Sequence, residues 1–460
     1  MHTYTIPSHV LELVASLGYQ VPYDDMRPYM LEWDSLYRAE GKWWDWDEVQ
    51  NGIYTKMHRR SIRPAQLVCD EWASLIMDEK TQVSAEDASV NEWLSSWTAR
   101  SGFMAQGQEL VKRAFALGTG AWAVWADTER GEVKLRPYSG TSVLPLSWDV
   151  DGVMECAFAS QAVIAGKRYD QLQVHVLEGE TYRIKSYAFD SETGKRANLD
   201  GVAPDVDTGC RTPTFALVKP AIGNGYVDFS PYGQSVYAHA ADALRDVDAC
   251  YDAVMNEVDL AKMRVFISDM LIEYTDGDGN RHANPLPWGN DNRIFRKVSS
   301  TEDMVSTFSP AMRTAQQVEA YRLALRTVGD LCGFGLDYFD LSKTGGVQTA
   351  TAVAANNSQL MRTVRKHENA LADSISQAVR SFLAVSARYS GAPDTDPGAI
   401  SVDFDDSIIS DTASEKAQDM AEVGVTMQPW EYRVKWYGED EETAKAKAPG
   451  SSVREPAFGE

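Results

Sequence analysis

Two long segments with helical periodicity constrain the fold of this chain more than any other feature. From Gln234 to about Met263 the sequence contains no glycine or proline, and apolar side chains recur there at helical spacing. A second segment of this kind runs from Thr349 to about Tyr389. At ~1.5 Å per residue, these segments predict rods of roughly 45 Å and roughly 60 Å. The rest of the chain must therefore pack around extended helices.

The segments between the helices have strand composition. Residues 121–220 contain short apolar runs separated by Gly and Asp turns, which predicts a mostly antiparallel sheet packed on the N-terminal helices. Residues 265–274 and 293–298 predict a small β-insert, and a helix follows at 311–331. Residues 221–232 are rich in Gly and Pro and predict a linker. This mixture predicts an α+β fold.

The N-terminal region reads as a series of helices. Residues 8–40 have helical character, and we expect Pro22 and Pro28 to divide them into two short helices. Residues 63–79 and 89–118 predict further amphipathic helices, with Leu67 on the packed face of the first. The helical start and the later sheet together suggest a helix-plus-sheet body.

The C-terminal region alternates short elements. Ile400–Phe404 alternates like a strand, and residues 410–423 and 428–436 predict two short helices. The tail after Tyr437 is charged and rich in Pro, Gly and Ser, so we expect it to be loose. No internal repeat interrupts this order.

The charge balance is acidic. The 460 residues include 67 Asp and Glu against 44 Lys and Arg, a formal net charge of −23. A protein that grips DNA normally presents a basic face, because phosphate contacts dominate such binding. Either nucleic acid is irrelevant to this chain, or it must lie near DNA without holding it. A further explanation is that the acidic excess only favours solubility.

Motifs of catalysis and cofactor binding are missing from the sequence. It contains no GxxxxGK[ST], GxSxG or HExxH motif, and no strand leads into GxGxxG. The five cysteines are widely spaced, without a CxxC pair, which predicts a reducing compartment and no zinc site. We expect no signal peptide, no membrane span, no metal, no cofactor and no catalytic residues. The chain is therefore expected not to be an enzyme.

Two local motifs each allow two interpretations. The aromatic run Trp43–Trp46 suits a sugar-binding platform, or packing and interface anchoring. The segment Asp276–Asn280 begins like an EF-hand loop, but Arg281 stands where that loop requires glycine. A hairpin turn is the alternative for this segment, and it is the one we favour.

One face of the first long helix carries mostly acidic residues. Such a face is either merely solvated, or it becomes an acidic wall when copies are arranged around an axis. Its members are Asp242, Asp246, Asp248, Asp252, Glu257 and Asp259.

The order of elements resembles that of a known family. A long helix, a β-insert, a helix, a Gly-rich segment, a very long helix and a strand follow one another, and the run Thr349–Val353 reads TATAV. This resembles the portal proteins of tailed bacteriophages with long non-contractile tails, which commonly carry TATEV there. Ala352 replaces the usual Glu, so no charge-based role is assigned to that position. Weaker resemblances lie at Arg63–Glu79, at 116–120 and at Ile400–Phe404.

The resemblance implies a portal fold and a division of the chain. The parts would be a wing at 1–230, stem helices at 231–264 and 311–332, a clip at 265–310, a tunnel loop at 333–348, a long helix at 349–391, a wing-closing strand at 392–408, short crown-like helices at 409–437 and a flexible tail at 438–460.

The resemblance also implies a function. The family forms rings of about twelve subunits, which require head-to-tail contacts between neighbours. The ring occupies one capsid vertex of a virion assembled in the bacterial cytoplasm. It contacts the major capsid protein, the terminase large subunit and then the head-completion or adaptor protein. Double-stranded DNA passes through without sequence specificity. A channel wall of like charge, about one Debye length (~8 Å) away, would keep DNA from adhering.

Candidate residues follow from these assignments. Lys343 would touch phosphate, or it is a solvent-exposed lysine without a role. The tunnel-loop residues facing DNA would be Gly333, Gly335, Asp337, Tyr338, Phe339, Lys343, Gly345, Gly346 and Gln348. The clip residues facing partners would be Asp276, Asp278, Asn280, Arg281 and Trp288. The alternatives are an acidic carbohydrate-active enzyme that uses the Trp43–Trp46 platform, and another virion ring or adaptor protein.

Overall fold

The structure is a computed structural model, and its contacts divide the chain into two compact units. The larger unit comprises Met1–Met30, Cys69–Val236 and Gly345–Glu460, and the smaller unit comprises Leu31–Val68 and Tyr237–Thr344. The structure describes residues 4–21, 23–50, 52–78, 80–128, 130–199, 202–268, 273–283, 294–297, 305–339, 350–404, 416, 419–424 and 426–448.

The helices follow most of the predicted segments. Their bounds are α1 Ser8–Ser16, α2 Tyr23–Arg38, α3 Pro64–Ile76, α4 Ala88–Ser101, α5 Phe103–Leu117, α6 Ala241–Leu260, α7 Thr314–Leu331, α8 Ala350–Tyr389, α9 Pro429–Tyr437 and α10 Glu441–Lys447. Short 3-10 turns lie at Gly140–Ser142 and Ala238–Ala240.

The strands are short except in the middle of the larger unit. Their bounds are β1 Asp45–Gln50, β2 Ile53–His58, β3 Gln82–Ala85, β4 Gly120–Asp127, β5 Glu132–Ser139, β6 Val143–Asp149, β7 Gly152–Ile164, β8 Lys167–Glu178, β9 Thr181–Asp190, β10 Arg196–Ala197, β11 Asp205–Asp207, β12 Phe215–Val218, β13 Arg264–Ser268, β14 Glu273–Thr275, β15 Arg281–Ala283, β16 Ile294–Lys297, β17 Val305–Phe308 and β18 Ile400–Asp403.

The larger unit is built on antiparallel sheets, as the sequence predicts. One sheet has the order β10-β9-β8-β7-β6 with β11 beside β9, and a second has the order β12-β4-β5. The strand β18 pairs with β3 and not with either of these sheets. The long helix α8 packs on β4, β5, β12 and β18, and α5 packs on β4 and β5. Every residue of β4 is buried, and the core around it includes Phe158, Tyr182 and Phe215.

A close backbone approach fixes the end of α5. Gly118 ends this helix with φ +78°, and a Cβ atom there would lie 2.6 Å from the carbonyl oxygen of Gly233. The amide of Gly233 donates to Oγ1 of Thr119 over 3.0 Å, and the amide of Val236 donates to the carbonyl of Phe115 over 3.0 Å. Only glycine fits position 118 without strain, because both the dihedral angle and the available space exclude a side chain.

The smaller unit combines two packed helices with short strands. Helices α6 and α7 pack together, and Leu244, Val247, Ala324 and Val328 are buried in this unit. The strands β1 and β2 form a hairpin. The predicted β-insert is present: β13 pairs parallel with β16 and antiparallel with β17, and β14 forms a hairpin with β15.

Several predictions of local structure were wrong. Pro28 lies inside α2 and does not divide it, since a helix can continue past one missing backbone hydrogen bond. Helix α6 begins at Ala241, after a 3-10 turn, so it is shorter than the predicted segment. Leu67 is 50% exposed. Residues 31–68, which the resemblance assigns to the wing, lie in the same unit as α6 and α7, and the wing assignment stays a prediction.

The tail after Tyr437 was predicted to be loose, but it contains a helix, α10. Asp440 caps α10 by accepting from the amide of Thr443 over 2.8 Å. Acidic residues lie in the first turn of this helix and lysines in its last turn, so their charges interact favourably with the helix dipole and stabilise the helix. Of the predicted helix 410–423, residues 410–415 and 417–418 lie outside the described residues, and a helical turn is seen at 419–422.

Candidate functional site

The six predicted channel acids do not share one face of α6. At about 100° per residue, Asp248, Asp252 and Asp259 fall within about 40° of one another around the helix axis. Asp242, Asp246 and Glu257 form the other group. The prediction of a single acidic stripe was therefore wrong, because its members were grouped by sequence and not by helical angle.

Asp248 is a buried clamp and not an exposed channel acid. Its side chain has 0% exposure. Oδ2 accepts from Nε1 of Trp44 over 2.9 Å and from Oγ of Ser61 over 2.6 Å, while Oδ1 accepts from the amide of Ile62 over 3.1 Å. Burial raises the pKa of Asp248, and these three hydrogen bonds oppose that rise. The carboxyl thus fastens both ends of the segment 44–62 to α6.

The same segment contacts the two other acids of this face, of which Asp252 is half-buried and Asp259 exposed. The guanidinium of Arg60 lies 2.8 Å from Asp259, and the amide of Arg60 donates to Asp252 over 3.3 Å. Hydrogen bonds from Arg60 and from Lys262 lower the pKa of Asp259. Asp259 therefore binds two cations of its own chain, whereas Asp252 accepts a backbone hydrogen bond.

The other acidic group is only partly available to solvent. Asp242 and Asp246 are exposed, and Arg245 contacts Asp242 at 3.2 Å. Glu257 is buried and binds Arg313, which donates to it from the backbone amide, from Nε and from the terminal nitrogen at 2.9 Å. Glu257 was also predicted to face the channel. It instead ties the end of α6 to the residue that precedes α7.

The first half of the predicted tunnel loop is a packed turn. Gly333 and Gly335 have φ +88° and +96°, and the amides of Phe334 and Gly335 both donate to the carbonyl of Gly329. The rings of Phe334, Tyr338 and Phe339 lie within 5.2 Å of one another, centroid to centroid. Arg326 contacts Asp337 at 3.5 Å. The predicted channel residues Lys343, Gly345, Gly346 and Gln348 lie outside the described residues.

The predicted clip contacts form the tip of a hairpin. Oδ1 of Asp276 accepts from the amides of Asp278 and Asn280 over 3.0 and 2.8 Å, and Oδ2 lies 2.6 Å from Nε2 of His282. These hydrogen bonds lower the pKa of Asp276. The hairpin interpretation is confirmed, since β14 and β15 pair on either side. Arg281 opens β15, and Trp288 lies outside the described residues.

The smaller unit exposes a set of apolar side chains that the sequence analysis missed. In the part of the chain that the structure describes, more than half of the exposed large hydrophobic residues belong to this shorter unit. The sequence contains a signal of this surface: Val258, Leu260 and Met263 are spaced so that a single helix face cannot bury all three. The members on and near α6, α7 and β17 are Val258, Leu260, Met263, Val305, Phe308, Met312, Leu323, Leu331 and Leu336.

The Trp43–Trp46 run is used inside the fold. Trp44 is 3% exposed and donates to Asp248. The guanidinium of Arg59 lies 3.8 Å from the ring centroid of Trp43 and 5.2 Å from that of Trp46. These contacts match the packing interpretation of the run, because Trp44 is buried and Arg59 lies over the rings of Trp43 and Trp46.

Among the described residues, no group of three or more His, Cys, Asp or Glu side chains is arranged to hold a metal ion. Within the same residues, every helix is too short or too polar to cross a bilayer.

Comparisons with known proteins gave matches only among solved structures. No model of a protein family matches the chain, and no curated protein matches it. A chain in the neck of a native GTA particle, computed with C12 symmetry, aligns with a TM-score of 0.39 and 14% identity, over 81% of this chain and 88% of that chain.

Two further structures give similar values. A chain in the neck of an empty GTA particle, computed with C6 symmetry, has a TM-score of 0.38 and 14% identity, over 80% of this chain and 87% of that chain. A chain in the virion of a native gene transfer agent particle has a TM-score of 0.39 and 13% identity, over 88% and 92%. The similarity concerns the course of the backbone and carries no information about activity.

Proposed function

We propose that this chain is a portal protein: one subunit of a ring, of about twelve copies, at a capsid vertex. In this proposal DNA passes through the ring during packaging and ejection, and the chain itself catalyses no reaction. The ring would bind the packaging motor and later the head-completion or adaptor protein. The major capsid protein would surround it.

The observation that carries the proposal is the exposed apolar surface of the smaller unit. Large uncovered apolar surfaces on a folded chain mark sites of association. The side chains concerned follow α6 and α7, the two helices that flank the β-insert. Leu323, for instance, is 65% exposed and lies about 140° around α7 from the buried Val328. Val258 and Leu260 lie about 160° apart around α6, so the two neighbouring copies in a ring would cover the helix pair from both sides.

The acidic composition is compatible with passage of DNA in this proposal. Asp242 and Asp246 remain exposed on α6. A ring would repeat them around its axis, and like charge would keep the phosphates from adhering. The buried Asp248 and Glu257 have no part in this effect.

Imaging and mass measurement of the purified protein test the ring. We expect electron microscopy to show rings with a central hole, and light scattering to give about twelve subunits. Leu323→Glu should reduce the ring fraction at least tenfold, because it places a charge within the covered surface. Leu17→Glu is the matched control, since Leu17 is 40% exposed but lies in the larger unit. Monomers of the unmodified chain at high concentration would contradict the proposal.

A second test concerns DNA. Residues 340–348 are replaced by a short Gly-Ser linker, which leaves the packed turn at 333–339 in place. We expect the rings to assemble normally and particles to retain less DNA. Lys343→Ala, tested alone, separates a phosphate contact from the effect of loop length. Loss of assembly in the linker variant would mean that the segment is structural, and the channel role assigned to it would be wrong.

A further inference from the structure

One end of the larger unit carries a protruding apolar and acidic tip. Val150, in the turn between β6 and β7, is 104% exposed, and Phe229 is 97% exposed. They are the two most exposed of the large hydrophobic side chains in the described chain. Nε1 of Trp148 donates to the carbonyl of Phe229 over 3.2 Å, which joins the two segments. We name Val150, Phe229 and the flanking acids Asp149, Asp151 and Asp228 the acidic knob.

The backbone holds the knob in its exposed form. Phe229 has φ +57°, a left-handed conformation that is unusual for an aromatic residue. The amide of Asp151 donates to Oδ1 of Asp149 over 2.8 Å, which shapes the turn around Val150. Strained backbone of this kind persists where the surrounding structure requires it, commonly at binding sites. Because the backbone holds the side chains of Val150 and Phe229 in solvent, we infer that another molecule covers this surface.

The same unit contains a cleft of complementary character. It has a volume of about 770 Å³ and lies between β5, the C-terminal half of β7 and the N-terminal half of β8. Its lining includes Trp125, Lys134, Arg136, Arg130 and Ile164. Glu132 is the one acid in the lining and lies 2.8 Å from Nζ of Lys134, so an acid from outside would share Lys134 with Glu132. The guanidinium of Arg136 lies 4.2 Å from the ring centroid of Trp125, and Nζ of Lys134 lies 5.2 Å from it. We name this the basic cleft. It is unusual in a chain of net charge −23.

The knob and the cleft lie at opposite ends of one strand. β7 begins at Gly152, directly after the knob, and the cleft is lined by its residues from Ala159 onward. From Gly152 to Gln161 the strand extends about 30 Å, at ~3.3 Å per residue. Complementary surfaces at opposite ends of one body cannot meet within a single copy. They produce head-to-tail contacts between copies, the type of contact that a ring requires.

We propose that the acidic knob of one copy binds the basic cleft of the next copy. Val150 and Phe229 enter the apolar part of the cleft, beside Ala162 and the exposed Ile164. Asp149 and Asp151 pair with Arg136 and Lys134. The partner is a second copy of this chain, and the contact deepens the proposed ring by assigning it an interface in the larger unit.

Charge reversal tests the contact. Asp149→Lys with Asp151→Lys should weaken association of subunits at least tenfold, measured by light scattering at low salt. Lys134→Glu with Arg136→Glu should do the same. All four substitutions in one chain should restore rings, because knob and cleft then attract again. Glu180→Lys is the control: Glu180 is an exposed acid in the turn between β8 and β9.

Cross-linking locates the contact directly. A chain with Val150→Cys and Gln161→Cys should form disulfides between copies and give a ladder of covalent oligomers under oxidation. Each single variant should give none, since Cys69, Cys156, Cys210 and Cys332 are buried and Cys250 is partly buried.

The outcomes separate this inference from the proposed function. Rings that form normally in both charge-reversal variants, with no ladder from the double-cysteine chain, would overturn the knob-and-cleft contact and leave the ring intact. Normal rings that no longer enter capsids would likewise overturn it, and would assign the knob to the capsid protein. Absence of rings in the unmodified chain would overturn the proposed function itself.

Discussion

Removal of the Asp248 carboxyl should release the segment 44–62 from α6. Asp248→Ala leaves three donors without this acceptor: the buried indole of Trp44, and the half-buried hydroxyl of Ser61 and amide of Ile62. Each loss costs about 1 kcal/mol or more, so the local opening free energy should fall by about 3 kcal/mol. Burying the Asp248 carboxyl itself costs free energy, and its removal recovers that cost, so the loss of opening free energy does not exceed about 3 kcal/mol.

Hydrogen exchange measured by mass spectrometry is the appropriate assay, because it reports local opening. At 1.4 kcal/mol per factor of ten, a loss of about 3 kcal/mol accelerates amide exchange in 44–62 about a hundredfold. Asp248→Asn keeps one acceptor oxygen, and the loss should be about 1 kcal/mol. Asp246→Ala is the control on the exposed side of the same helix. If amide exchange in segment 44–62 of Asp248→Ala stays within about threefold of the rate in that control, Asp248 does not hold the segment on α6.

The remaining predictions concern the larger unit. Burial lowers the pKa of His175 to about 3 and that of His367 to about 4, so both side chains are neutral in the folded protein. In the unfolded chain they take up protons below about pH 6.5. Their contribution to the free energy of unfolding should therefore be fully present above about pH 6.5 and should be lost as the pH falls toward 3. His175 alone should contribute roughly 4 kcal/mol to that decline, and thermal unfolding of His175→Gln should show a shallower pH dependence; an unchanged slope would contradict the assignment. Gly118→Ala should cost about 3 kcal/mol, because the added Cβ meets backbone atoms. Gly179→Ala is its control, with φ +70° but open space, and should cost only about 1 kcal/mol in the same unfolding experiment.

Periodicity and composition predicted the elements of this fold well, because they depend on local sequence. Helix α8 matches the predicted segment almost to the residue, and the segment 120–218 forms antiparallel sheets. The pairing of β18 with β3 joins residues more than 300 positions apart, and no local pattern specifies such a partner. The membership of residues 31–68 in the smaller unit was missed for the same reason.

The acids of α6 show why side-chain roles were harder to predict than elements. Each of them is an Asp or Glu on a helix, and composition treats them alike. Their environments differ because the segment 44–62 brings Trp44, Ser61 and Arg60 to one side of the helix. That side becomes a set of structural contacts, in which even the exposed Asp259 is paired with cations of its own chain. The contacts between these partners and α6 are tertiary contacts, which the local sequence pattern of the helix does not specify.

This division changes what the net charge means for a channel. A total of −23 describes the whole chain, whereas a passing phosphate responds only to charges within about one Debye length, ~8 Å at physiological salt. Asp259 pairs with both Arg60 and Lys262, and the amide of Arg60 donates to Asp252 nearby, so the field of these two acids is largely cancelled at that range. Repulsion of DNA by α6 would therefore depend on Asp242 and Asp246, and Arg245 weakens the first of these. Asp246→Asn should accordingly slow DNA release from particles more than Asp259→Asn does. Equal effects of the two substitutions would mean that α6 does not face DNA through this side.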